Sequence, residues 1–346
     1  MSLRRREIVG GIAAVTIASC VPRDRAVETK STSSPAVESF SPDLAAIVDP
    51  AAQLEMLATG FSWSEGPVWD QKRSRLYFSD VPQNTVFMWS EETGLAIYLK
   101  PSGLPDGEDP APFDSAGING MWIGRDGRLI AASHGKRAVT RIDIDSKVET
   151  ILAGKYRGKL LNSPNDLIED RDGNIYFTDP PYGLKDGDQS PLKQQAHNGV
   201  YRLDKEGSVG LIDASLTRPN GIALSPDQSI LYVAQSEPGH QIIKSYAIGQ
   251  DGSINDEQVF FDAQSLADDA SPGLPDGMCV AETGHIFATG PGGVLILSPR
   301  GQLLGRILTG KACANCAFGD DGRTLYMTAS DTLLRIPLKI RGIGFR

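Results

Sequence analysis

Six residues with a side-chain oxygen stand at one register in this chain: Glu65, Asn119, Asn165, Asn220, Asp276 and Asn315. Each lies eleven or twelve residues ahead of the centre of an apolar triplet, and each precedes an apolar segment such as GPVW, GMWI or GIAL. A single Pro-Asn-Gly or Pro-Asp-Gly is an ordinary turn sequence. Turns alone would accept Ser, Gly or Lys at this place, and do not ask for Glu65 ahead of Gly-Pro. Two carboxylates and four carboxamides without His or Cys beside them form a donor set for a hard divalent cation. Ca²⁺ is the expected ion because it accepts loose oxygen geometry and keeps positions open for water and substrate; Mg²⁺, Mn²⁺ and Zn²⁺ stay open as alternatives. A dication also offsets the repulsion that would otherwise push one of the two carboxyl groups upward.

The elements that must position these oxygens repeat with them. The triplets lie in RLYFSD, RLIAAS, NIYFTD, ILYVAQ, HIFATG and TLYMTA, with centres at Tyr77, Ile130, Tyr176, Tyr232, Phe287 and Tyr326. Turns of the Asp-Gly type precede several of them, at Asp126-Gly127, Asp172-Gly173 and Asp321-Gly322, as expected between hairpin strands. Further strands follow, such as TVFMWS then LAIYLK, and helical periodicity is weak throughout. About four short strands returning every ~40 to 50 residues predict an all-β fold, a six-bladed β-propeller with four-stranded blades. The blades form one domain over residues 51–346, because no blade can bury its own two faces alone. The innermost strand of a blade lies nearest the axis, so the register gathers the six oxygens around one mouth of the central channel.

The same face collects more. The second strands run back to it and end at Asp80, His134, Asp179 and Ser236. The longest connections, 100–118 and 180–198, also fall there, and loops of this length in a compact domain are commonly functional. Asn119, His134, Asp179 and Tyr182 are therefore the expected contacts for a substrate, and Asp166 is expected to support Asn165 from behind.

Composition narrows the partners. With 346 residues and 40% hydrophobic content the chain is long enough for a sizeable core. A net charge of -9 without clustered Lys or Arg excludes a nucleic-acid binder and suits neutral substrates or cations. Cys313 and Cys316 form a lone CANC; a zinc site would need a second ligand pair and a redox motif a thioredoxin-like βαβ context, whereas the surroundings are strand–turn–strand, so a structural role is the expected one, shared by Cys279. Residues 1–20 read as an export signal: Arg4 to Arg6, an apolar stretch from Ile8 to Ala18, then Cys20. The arginines resemble a twin-arginine signal and Ile17-Ala18-Ser19-Cys20 a bacterial lipobox, so Cys20 is the expected lipidation and membrane-attachment point of a periplasmic protein. Residues 21–50, rich in Ser, Thr, Pro and charge, read as a flexible tether.

The segments SEGPVW, FSD, SPNDL, DGNIYFTDPPYGL, RPNGIALSPD, LPDGMCV and AFGDDGRTLYMTAS together resemble the gluconolactonase, regucalcin and luciferin-regenerating-enzyme family of six-bladed propellers, in its bacterial gluconolactonase branch. The resemblance implies a divalent metal on Glu65, Asn165, Asn220 and Asp276, with Asp276 also as acid/base. The regucalcin branch has an arginine two residues before its metal-binding asparagine; here that residue is Ser163. The implied reaction is hydrolysis of a sugar lactone, D-glucono-1,5-lactone being the reference substrate. Hydrolysis of another lactone or ester, and a binding module with a structural metal, remain the alternatives. The sequence does not set the oligomeric state.

Overall fold

The computed structural model describes residues 36–249 and 252–345. Six antiparallel sheets follow one another along the chain, at 64–99, 118–153, 167–213, 219–262, 278–308 and 313–337, and are numbered here as blades 1 to 6. Their first strands are Ser64–Asp70, Ile118–Ile123, Leu167–Glu169, Pro219–Leu224, Met278–Val280 and Cys313–Gly319. Each of these first strands packs against those of the blades before and after it, and that of blade 6 packs against that of blade 1, so the six line a closed ring.

The apolar triplets make the blades what they are. In the second strand of blade 1, Leu76, Tyr77 and Phe78 are all buried, although successive side chains of a strand point to opposite faces. Both faces are therefore covered. The buried apolar residues fall into six clusters, and each cluster joins one pair of neighbouring blades. Tyr77 of blade 1 packs with Ile118 and Leu129 of blade 2, and Phe78 packs on the opposite side with the cluster that holds Tyr326 of blade 6. Core therefore lies between sheets, as a propeller requires.

Closure uses the amino-terminal end of the domain. Blade 6 has three strands from its own segment, and its outermost strand is Glu55–Thr59, paired antiparallel with Thr332–Pro337. Blade 5 departs from the four-stranded expectation, because Val37–Ser39 adds a fifth strand against Leu303–Leu308. The expected tether over 21–50 is corrected from residue 36 onward. After that strand, the 3-10 turn Pro42–Ala46 and the residues beyond it bury Leu44, Ile47 and Val48 against Leu304, Ile307 and Leu338. Apolar side chains spaced among Ser and Pro were enough to dock this segment. The expected export signal, Cys20 and residues 21–35 lie outside the described residues. Among the described residues no helix is long and apolar enough to cross a membrane.

Candidate active site

The inner strands deform where the ring oxygens sit. Register slips between Glu65 and Val68 in blade 1, Ile118 and Met121 in blade 2, Pro219 and Ile222 in blade 4, and Cys313 and Asn315 in blade 6. A bulge inserts an extra residue into one strand and re-aims its side chains. Here it turns Glu65, Asn119 and Asn220 toward the axis. The glycines that follow allow neighbouring blades to close up: a Cβ on Gly66 or Gly221 would stand 2.0 Å from the carbonyl oxygen of Asn119 or Asp276 in the next blade. Hydroxyls of the second strands tie the same ring, Ser79 donating to the Asn119 carbonyl (3.1 Å) and Thr178 to the Asn220 carbonyl (2.7 Å).

Five of the six oxygens then face one cavity of about 450 Å³, lined by Glu65, Asn119, Asn165, Asn220 and Asp276 together with Trp63, His134, Tyr182, Ser236 and Leu274. The sixth, Asn315, lies underneath. Its carboxamide lies beside the carboxylates of Glu65 and Asp166 and favours their ionised forms, and its Oδ1 accepts from the Cys316 N–H at 2.8 Å. Asn220 donates to the Ser236 hydroxyl (2.8 Å), which donates to the Pro275 carbonyl (2.5 Å). The two long loops wall one side. They are joined by a β-bridge between Phe113 and Leu184 and by the Asp114 N–H donating to the Gly183 carbonyl at 3.1 Å.

Electrostatics sets this mouth apart. Burial pushes Glu65 up to about 8, helped by the negative charge of Asp166 and opposed by the Gly66 N–H. Burial likewise pushes Asp166 up to about 7. Asp276 is raised by burial, then by the charges of Glu65 and Asp166. Its Oδ1 is buried with no hydrogen-bond partner. Among the described residues no Lys or Arg lines the cavity, and burial pushes His134 down to about 4, so the imidazole is neutral near pH 7. Among the described residues no three His, Cys, Asp or Glu side chains converge as a ready-made metal cluster. The donor set is instead mixed. An orphaned carboxylate oxygen, a second carboxylate, two carboxamides and the absence of a neighbouring basic group together fit a hard dication.

Several expected residues fall differently. His134 faces the cavity, with Nδ1 3.0 Å from the Ser115 hydroxyl and Nε2 3.5 Å from the Asn119 carboxamide nitrogen. Tyr182 also faces it, from the 180–198 loop. Asp179 does not. It is wholly buried beside the wall, its Oδ2 accepting from the Asn162 N–H at 2.7 Å, so it is out of reach of a ligand in the cavity. Asp179 stands three residues beyond its triplet centre, Tyr176, whereas His134 and Ser236, which line the cavity, stand four beyond theirs. Ser163 is also buried and clamps the loop that carries Tyr182: its hydroxyl donates to the Pro180 carbonyl (2.6 Å) and accepts from the Gly183 N–H (2.9 Å). Trp63 and Leu274, which the register did not single out, complete the wall; both sit two residues before a ring oxygen.

A closed six-bladed propeller with an acidic, carboxamide-ringed funnel at one mouth defines the class of protein. Residues 63–331 match the SMP-30/Gluconolactonase/LRE-like region, and the chain belongs to that family. It is 41% identical over 315 residues to a gluconolactonase of Zymomonas mobilis subsp. mobilis, covering 88% of this chain and 87% of that one. It is 27% identical to the pentonolactonase XacC of Haloferax volcanii, over 77% of this chain and 81% of the other. Its fold superposes on XC5397 of Xanthomonas campestris, a gluconolactonase, with a TM-score of 0.75 and 35% identity, over 88% of this chain and 95% of that one.

Proposed function

We propose that this enzyme opens the ring of a sugar lactone by adding water across the ester bond, with D-glucono-1,5-lactone the reference substrate. The unpartnered, buried Oδ1 of Asp276 in a cavity ringed by acids and carboxamides carries the reading. The gluconolactonase relatives at 41% and 35% identity support the substrate class.

Glu65, Asn165, Asn220 and Asp276 would hold a hard divalent cation, Ca²⁺ before Mg²⁺, Mn²⁺ or Zn²⁺. Bound among them, such an ion supplies Lewis acidity toward an ester carbonyl and favours the ionised form of the acids around it. The chain's own residues do the rest. Asp276 takes a proton from a water through its free Oδ1 as the water oxygen adds to the lactone carbonyl carbon. The bond from this carbon to the ring oxygen breaks, and the proton returns to the departing oxygen, leaving a hydroxy acid. Asn119, the neutral His134 and Tyr182 stand where they can hydrogen-bond sugar hydroxyls. Trp63, Val81, Pro82 and Leu274 cover the opening with apolar surface, which strengthens polar interactions inside. No covalent enzyme intermediate is required.

A pH-stat assay on glucono-1,5-lactone, corrected for spontaneous hydrolysis, tests both halves. Exhaustive chelation abolishes the enzymatic rate and added Ca²⁺ restores it. Equal turnover after complete metal removal would defeat the cation while leaving the hydrolase. No turnover on five- or six-carbon sugar lactones in the presence of divalent metal would defeat the hydrolase.

A further inference from the structure

Three thiols stand where the inner strands of blades 5 and 6 meet, and all three are free. Cys313 lines the acidic cavity, whereas Cys279 and Cys316 line a second cavity of about 340 Å³ further along the channel. The sequence pairs Cys313 with Cys316, but the fold does not. Cys313 Sγ is turned back onto the Asn315 carbonyl at 3.6 Å. Cys316 Sγ donates to the Phe287 carbonyl (3.3 Å) and lies 3.6 Å from Cys279 Sγ. Phe287 is the cross-strand partner of Cys279, so the blade 6 thiol reaches over the inner edge of blade 5. The second cavity opens among the exposed residues Gln71, Lys72 and Gly127, on the face where first and second strands are joined. Cys279 keeps partial exposure there.

We propose that Cys279 and Cys316 are a redox-sensitive pair that closes a reversible disulfide, stapling the inner strands of blades 5 and 6. The sulfurs must approach by about 1.5 Å to reach bonding distance. With a small disulfide as oxidant, the Cys279 thiolate attacks one sulfur of the reagent, forming a mixed disulfide and releasing one reagent thiol. The Cys316 thiolate then attacks the Cys279 sulfur and releases the second. Two protein thiols are oxidised, one reagent disulfide is reduced to two thiols, and the protons pass to the released thiolates. Burial raises the Cys279 thiol, so the exchange is slow. The staple falls beside Asn315, whose carboxamide meets Glu65 and Asp166, which places a thiol–disulfide couple directly behind the acidic mouth.

Full-length protein, reduced and desalted, is incubated under native conditions with excess oxidised glutathione, and its mass and peptide map are followed. The expected product joins the peptide bearing Cys279 to the one bearing Cys316, the linked pair being two hydrogens lighter than the two peptides together, whatever Cys20 carries. Its melting midpoint rises by several degrees, and dithiothreitol reverses both changes. Cys313→Ser still closes the bond; Cys316→Ser stops at a glutathione adduct on Cys279. The proposal is overturned if the wild-type chain ends as that adduct, keeps all its thiols while the unfolded chain oxidises, or forms the Cys313–Cys316 bond instead.

Discussion

The same six inner strands make two different environments at their two ends. At one end Glu65, Asn119, Asn165, Asn220 and Asp276 line the acidic cavity; three or four residues further along, Val68, Ile123, Ile168, Leu224, Val280 and Phe318 line the second cavity. The change from oxygen to hydrocarbon happens at or just after the bulged positions. Before that point the backbone is free to re-aim side chains; after it, regular pairing with the second strand fixes them. Chemistry and stability are thereby separated along one strand. Asp166 links the two ends, since it lines the second cavity, as Asp70 and Glu169 also do, yet raises both Glu65 and Asp276.

Substitutions at the two ends should therefore fail in different measurements. The largest effect belongs to Asp276→Asn, which keeps the side-chain volume and removes the proton acceptor. Turnover on glucono-1,5-lactone falls by about 10²- to 10⁴-fold, the range of general base catalysis, while the melting midpoint stays or rises as buried repulsion is relieved. Retained turnover would remove Asp276 from the chemistry. Phe318→Ala tests the other end. Phe318 packs edge-on against Phe287 at 5.2 Å between ring centres, in the cluster that joins blades 5 and 6. Truncating it should destabilise by about 3–5 kcal/mol in denaturant titration, with kcat on the folded fraction unchanged. A matching loss of kcat would show that the ends are coupled.

How much of this was legible in the sequence follows from the same division. The blades were legible because a segment buried on both faces reads as an uninterrupted apolar triplet, and six such triplets recur. The ring oxygens were legible because position along a repeat converts directly into position around an axis. What the register could not show is depth. Asn315 shares the register yet turns beneath the cavity, where it serves the acids instead of facing a ligand. Asp166 lies one residue from a ring position and was read as support for Asn165; the structure buries it as a third acid, close enough to raise Glu65 and Asp276. Asp179, like Asp80 at the equivalent strand end, is taken up by backbone amides: it accepts from the Asn162 N–H as Asp80 accepts from the Ser62 and Trp63 N–H groups. Residues 36–48 were hidden by composition, since three well-placed apolar side chains among Ser and Pro do not form a period.

Asp179 sharpens the comparison by separating an acid near the functional mouth from an acid in it. Burial raises its carboxyl to about 7, against the opposing effects of the Asn162 N–H and Arg137. The unfolded chain holds that proton only below about 4. Stability from this group is therefore fully present below pH ~4, and is lost as pH rises through ~7, by roughly a few kcal/mol. Asp179→Asn keeps an oxygen for the Asn162 N–H and cannot ionise. With saturating Ca²⁺ present, the midpoint of the variant should gain on the wild type between pH ~4 and pH ~7 and level off above that. A constant difference across that range would mean that Asp179 is ionised throughout in the folded chain.

The smallest effect tests whether the ring itself is held by the second strands. Thr178 Oγ1 donates to the Asn220 carbonyl at 2.7 Å and accepts from the Asp166 N–H at 3.2 Å, so one hydroxyl links a proposed ligand of blade 4 to the charged neighbour of a proposed ligand of blade 3. Thr178→Val preserves shape and leaves both backbone groups without that partner in a buried place, a change of about 1–3 kcal/mol. If the hydroxyl only contributes stability, the midpoint falls and Ca²⁺ titrates the variant as it does the wild type. If it positions the ring, Ca²⁺ affinity falls several-fold along with the midpoint, and Phe318→Ala, of larger effect on stability, leaves that affinity unchanged. The second outcome is expected, because the bond ends on the residue whose carboxamide faces the cavity.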